Sequence, residues 1–241
     1  MQDDARHWRH RLAPNGTLRA AINLGNPVLA QRHDDGELDG VSVALARALA
    51  EHLDLPLELI VFDAAGKVVA ALEEDAWDLA FLARDPKRAE TIAFTAPYVL
   101  IEGTYLVPSD SVYSSVKDLD RANIRIAVGQ GAAYDLFLTR TLRHADLVRA
   151  PTSAAAVDWF VSQGLEAAAG VRQPLERFAA EHAGYKVVPG RFTVIEQAIA
   201  LPKRSHEVIA KVTEFLAAAK RNGLIDRALA ESEQHDAQIA P

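Results

Sequence analysis

Arg88 is the residue of this chain whose type and setting point most directly to chemistry. It stands in Asp85-Pro86-Lys87-Arg88-Ala89-Glu90-Thr91-Ile92-Ala93-Phe94-Thr95-Ala96-Pro97-Tyr98, shortly after the strand-like run Trp77-Asp78-Leu79-Ala80-Phe81-Leu82. A guanidinium stays charged at any workable pH, and its planar fork of donors fits a carboxylate. The chemistry implied is capture of an anion. The plainer alternative is an arginine that caps or salt-bridges the turn at 86–90.

A second anion-binding feature is Val128-Gly129-Gln130-Gly131-Ala132-Ala133-Tyr134, where a strand gives way to a helix. Backbone N–H groups at a helix start, reinforced by the dipole, suit a negative group. A dinucleotide motif needs a third glycine where Tyr134 stands, and a P-loop needs Gly-Lys-Ser/Thr, so both are rejected. Glu102 lies inside the apolar strand Val99–Val107, where a charge is expensive without a partner. It is expected to meet a cationic ligand group, to pair with Arg84 or Arg88, or to face outward from an edge strand. Arg172 follows Glu166-Ala167-Ala168-Ala169-Gly170-Val171 and is either a second anion contact or a solvent-facing helix start. His7 and His10 fall in a polar N-terminal stretch and make a poor metal site. Glu73, Glu74, Asp75 and Asp78 read as a solvated helix end and turn. No serine has a Gly-x-Ser-x-Gly context.

The elements that must position these residues alternate. Strand-like runs at 18–24, 57–62 and 77–82 are separated by helical spacing at 41–53 and 68–72. A second series follows an extended run at 99–107: strands at 124–128, 147–148, 166–170 and 186–188, with helices near 132–142, 152–162 and 173–181. Another extended run spans 192–201, and helices near 205–220 and 223–232 close the chain. This alternation predicts βαβ units and largely parallel sheets.

The chain has 241 residues, a formal charge of −7 and no cysteine. Thiolate chemistry and disulfides are excluded. With no basic block, nucleic acid is not an expected partner, and no cofactor or metal is expected. The start, Met1 to Arg11, has no apolar core of a signal peptide, so either a leader has been removed or the protein is not exported.

The order of these pieces, with Asp35-Gly36-Glu37-Leu38-Asp39-Gly40 before the first long helix, Asp78 after Trp77 and the Arg88 segment, resembles the type-3 (amino-acid-type) periplasmic solute-binding proteins of ABC importers. The resemblance runs from Leu18 to about Ala230. It implies an α/β, two-lobed, type II periplasmic-binding-protein-like fold with a cleft between lobes and a two-strand hinge. Residues 1–14 would be a flexible tail, 15–103 plus 195–232 lobe 1 and 108–190 lobe 2. The hinge strands would lie at about 103–107 and 191–195.

The same resemblance implies a monomer that binds a small anionic ligand for a transporter permease in the periplasm, and that Arg88 holds the ligand's carboxylate. Departures accompany it. Ala83 stands where a hydroxyl is usual, and Ala132 and Ala133 after Gly131 leave only backbone donors. The aspartate that usually meets an α-ammonium is missing near Arg172. The ligand expected is therefore a carboxylate without a free α-ammonium, and a dicarboxylate if Arg172 is a second anchor; Glu102 in the aspartate's role would readmit amino acids. Asn26 is a candidate polar contact; Phe62 and Tyr98 are candidate apolar walls or plain core residues. The alternatives are a dehydratase-like enzyme with Glu102 as its acid, and a cytoplasmic ligand sensor.

Overall fold

The computed structural model describes residues 8–241. They form two compact units, described in turn. Of the described residues, unit 1 holds 8–62, Lys67–Leu100 and Glu196–Pro241; unit 2 holds Asp63–Gly66 and Ile101–Ile195.

Unit 1 begins with β1 (Leu18–Asn23), a two-strand ribbon of β2 (Gln31–Arg32) and β3 (Leu38–Asp39), α1 (Val41–Leu53), β4 (Leu57–Phe62), α2 (Ala65–Ala70, whose first residues belong to unit 2) and β5 (Leu79–Ala83). Strand β1 lies between β4 and β5 and runs parallel to both, in register Ala20↔Leu59 and Ala20↔Leu79. All five residues of β5, Leu-Ala-Phe-Leu-Ala, are buried, as a strand covered on both faces requires. Helix α1 buries Val41, Leu45, Leu49 and Leu53, one stripe at helical spacing. Its start needs Gly40, with φ of 104°, because a Cβ there would stand 2.6 Å from the Leu29 carbonyl oxygen.

Strand β6 (Ile92–Pro108) carries the chain into unit 2 between Leu100 and Ile101. There follow β7 (Arg125–Gly129), α3 (Ala133–Thr141), β8 (Asp146–Ala150), α4 (Ser153–Gln163), β9 (Ala167–Val171), α5 (Arg172–Glu181) and β10 (Tyr185–Val187). The sheet of unit 2 runs β6-β9-β7-β8. Strands β9, β7 and β8 are mutually parallel, and β9 is antiparallel to β6. Thr152 caps α4, its hydroxyl accepting from the Ala155 N–H at 3.0 Å. The core gathers Leu106, Ala127, Ala150, Phe160, Ala168 and Leu175.

Strand β11 (Thr193–Pro202) returns the chain to unit 1 between Ile195 and Glu196 and pairs antiparallel with β5. Helices α6 (Ile209–Arg221) and α7 (Leu224–Glu231) follow, and β12 (Gln238–Ile239) pairs with Val99 and Leu100 of β6. One expectation is corrected here. Residues 8–12 are helical rather than part of a tail, and Trp8, Leu12 and Ala13 join the core with Leu18, Leu49 and Leu216. Residues beyond 232 are also structured, with Ala240 buried and its N–H donating to the Tyr98 carbonyl. His10 is exposed, while His7 lies outside the described residues. No helix among the described residues is long and apolar enough to cross a membrane.

Candidate functional site

Parallel strands send their following loops to one edge, where open α/β sheets hold ligands. In unit 1 the loops after β1, β4 and β5 begin at Asn23, Phe62 and Ala83. That edge therefore carries Asn26, Phe62 and Arg88. Asn26 is buried and builds its own turn: its side-chain oxygen accepts from the Val28 N–H at 3.3 Å, and its carbonyl accepts from Leu29 and Ala30. Phe62 is half-buried. Tyr98 is fully buried, edge-on to Phe81 with centroids 6.2 Å apart, and its hydroxyl lies 3.3 Å from that of Ser42. It is a core residue, the plainer of its two expectations.

Arg88 opens a short 3-10 turn, Arg88–Glu90. Asp85 shapes the approach: its carboxylate accepts from the Lys87 N–H at 2.9 Å, and its carbonyl accepts from Ala89. Arg88 is only 3% exposed, and its Nη1 donates to the carbonyl of Ala83 at 3.0 Å. The guanidinium thus folds back onto the end of β5 rather than lying on the turn's outer surface. Burial pushes its pKa down to about 10, with the negative charge of Asp85 opposing the shift. A fold that disfavours a cation in this way gains from any anion brought beside it. Neighbouring Arg84 is engaged differently, with Glu196 at 3.1 Å on the exposed side.

In unit 2 the loops after β7, β8 and β9 share an edge by the same rule. Gly131 adopts φ of +72°, and its N–H donates to the Asp135 carboxylate at 2.8 Å. Asp135 is buried in the first turn of α3 and also accepts from Arg149 Nε at 3.1 Å. The loop's N–H at Gly131 therefore already faces a carboxylate supplied by the chain. Ala132 caps α3, its N–H bonded to the Gly129 carbonyl, and Ala133 is the first helical residue. Tyr134, in the place of a third glycine, is a buried strut that accepts from the Gly129 N–H and donates to Ser153 at 2.8 Å.

Arg172 and Glu102 meet at this edge because Gly103 of β6 lies opposite Val171 of β9. Arg172 donates to Glu102 through Nε at 2.7 Å, to Glu176 through Nη1 at 3.2 Å, and to the Gly190 carbonyl through Nη2 at 2.6 Å. Arg191 donates to the second oxygen of Glu102 at 2.5 Å. Of the alternatives open for Glu102, the contacts observed are with Arg172 and Arg191, brought to it by strand register. Arg172 is not a solvent-facing helix start. Hydrogen bonds from Arg191 and Arg172 hold the Glu102 carboxyl below its ordinary range, which is the wrong direction for a general acid. Burial lowers Arg172, but its bonds to Glu102 and Glu176 outweigh that and leave it above the ordinary arginine value.

Asp135, Arg149 and Arg191 escaped the sequence reading. An acid in the first turn of a helix, as Asp135 is, carries a local signal. Arg191 carries none, since only strand pairing brings it to Glu102. Among the described residues no group of three His, Cys, Asp or Glu side chains could hold a metal ion.

Residues 18–231 match the family model of bacterial extracellular solute-binding proteins, family 3. No curated protein matches the sequence. A solved structure of a mutant ArgBP from T. maritima is 18% identical with a TM-score of 0.79, over 93% of this chain and 98% of that one. The solute receptor for L-cysteine of Neisseria gonorrhoeae is 21% identical with a TM-score of 0.80, over 92% and 91%. The ancestral amino acid-binding protein AncCDT-1, a precursor of cyclohexadienyl dehydratase, is 24% identical with a TM-score of 0.76, over 91% and 96%. At these identities the likeness is one of fold, that of the type II periplasmic binding proteins.

Proposed function

Because the chain belongs to the bacterial extracellular solute-binding proteins of family 3, we propose that it captures a small carboxylate-bearing solute for an ABC importer, without transforming it. Arg88 is the group that meets the carboxylate. The observation that carries this reading is a guanidinium 3% exposed at the carboxyl edge of unit 1, its pKa pushed down by burial. A planar fork of guanidinium donors suits a carboxylate, which it would meet with charge-assisted hydrogen bonds. The working compartment is the periplasm or the cell exterior, and the binding form is a monomer.

The solute lacks a free α-ammonium. Relatives by name bind arginine or cysteine, but Glu102 in this chain is already engaged by two arginines and Asp135 by Gly131 and Arg149. A buried ammonium without its own acid costs several kcal/mol.

A thermal-shift screen of the 241-residue protein tests both statements, with amino acids in one panel and mono- and dicarboxylates in the other. A ligand at about 100 times its dissociation constant stabilises by about 2.7 kcal/mol, a shift of several degrees. A response confined to carboxylates supports the reading. A response to amino acids overturns the exclusion of the ammonium, and binding that survives Arg88→Met overturns the anchor.

A further inference from the structure

Unit 1 carries a groove of about 560 Å³ that the capture of a carboxylate does not use. Its volume falls within the range of about 300–1,000 Å³ typical of small-molecule clefts. Every residue lining it belongs to unit 1: Trp8, the last two turns of α1, and α6 with the turn that follows it. Helix α1 ends at Leu53 and β4 begins at Leu57, so this end of α1 lies at the sheet edge opposite Arg88. Alanines make the space. Ala48 of α1 and Ala218 of α6 line the groove where longer side chains would narrow it.

Three rings follow one another along it. The centroids of Trp8 and His52 are 6.2 Å apart and those of His52 and Phe215 5.8 Å apart, with the planes tilted by 51° and 41°. Trp8 is buried, but Phe215 is half-buried and His52 exposed, so ring surface stays open to the groove. The charges beside the rings are unequal. Glu51 and Glu214 line the groove with a single lysine, Lys211, which pairs with Glu214 at 3.5 Å. Glu51 has no ion pair or side-chain hydrogen bond among the described residues. Glu51 lies in the last turn of α1 and Ala218 in the last turn of α6, and helix C-termini add partial negative charge.

This lining suits a cation, and its rings decide which kind. A bare metal ion needs several oxygen ligands, and no group of three His, Cys, Asp or Glu among the described residues could supply them. Aromatic faces attract an ammonium within about 6 Å of the ring centroid, tryptophan most strongly, while the alanines and Phe215 accept an apolar body. We propose that this groove is a second binding site of the chain, for a small organic cation: an ammonium carried on an apolar body. The site works independently of Arg88.

The test is calorimetric titration of the full 241-residue chain with benzyltrimethylammonium, and with benzyl alcohol as an uncharged probe carrying the same ring. The expected result is saturable binding of the cation at least about tenfold tighter than the alcohol. Ala218→Phe fills the groove from an exposed position, where a substitution leaves the fold intact, and should abolish binding. Glu51→Gln and Phe215→Leu should each weaken it by about threefold to fivefold, and Arg88→Met by less than about twofold. Thermal unfolding without probe checks that each variant is folded. Absence of saturable cation binding, equal binding of the alcohol, or binding that survives Ala218→Phe overturns the site. So does binding indifferent to both Glu51→Gln and Phe215→Leu. Loss of cation binding in a folded Arg88→Met protein would move the cation to the solute site and overturn the proposal as well. The carboxylate reading stands or falls separately, on whether carboxylates bind and need Arg88.

Discussion

Arg88 and Arg172 are the same residue type placed by the same rule, each just past the carboxyl end of a buried parallel strand. Their electrostatics are opposite. Arg88, in unit 1, is buried against the carbonyl that ends β5 and has its pKa pushed down to about 10. Arg172, in unit 2, reaches two carboxylates and a carbonyl, and its charged state is reinforced. The difference teaches that two arginines in the same kind of position can differ in what burial and neighbouring carboxylates do to their charge. One cation sits where burial disfavours its charge; the other has that charge reinforced by two carboxylates.

The most direct way to break this comparison is Arg88→Met. Loss of a charge-assisted bidentate contact should weaken carboxylate binding at least 100-fold, about 2.7 kcal/mol. The melting temperature of the empty protein should fall by no more than about 2 °C, because the fold disfavours the cation it loses. Calorimetry and thermal unfolding together read both halves, and a variant that binds as wild type removes Arg88 from the site.

Asp135→Asn probes the acid that unit 2 supplies to its own loop. Losing the charge behind the bonds from Gly131 and Arg149 should destabilise by about 1–3 kcal/mol in urea unfolding. A neutral result would mean that the Gly131 loop does not depend on that carboxylate. Arg172→Met should act on stability rather than on affinity. The Arg172–Glu102 pair is partly exposed, so about 1–2 kcal/mol is expected, with carboxylate affinity kept within about threefold. A large affinity loss in a folded Arg172→Met protein would make the two arginines partners after all.

The smallest effect concerns pH. The unfolded Glu102 carboxyl titrates in its ordinary range, near about 4.3, and in the fold it is held lower. Its contribution is therefore fully present above that range and drains away as pH falls through the lowered folded value. Glu102→Gln should flatten the acid limb of stability below about pH 4.5 by well under about 1 kcal/mol, since this group is a third exposed. An unchanged acid limb would place the acid sensitivity elsewhere, with Asp118, held low by Ser114 and Ser115, as the next group to examine.

Much of the architecture was legible in the letters because the signals are local. The run Leu57–Phe62, the spacing of Val41, Leu45, Leu49 and Leu53, and the turn at Gly129–Gly131 each depend on a few adjacent residues. The buried helix at 8–12 was not legible: its polar residues resemble a tail, and only contact with Leu18, Leu49 and Leu216 explains why Trp8 and Leu12 are apolar. The strand at Gln238–Ile239 was missed for a similar reason, being two residues long and held by β6.

By itself the sequence determined the alternation of strands and helices, the family to which they belong, and Arg88 as an unchanging cation after β5. Periodicity and the guanidinium's chemistry need no tertiary partner. Only the tertiary structure decided what each charge does. Burial disfavoured the charge of Arg88, and the Gly103↔Val171 register brought Glu102 to Arg172 and Arg191. Those outcomes depend on distances between residues far apart in the chain, and electrostatic energy depends on distance and burial that no local pattern records.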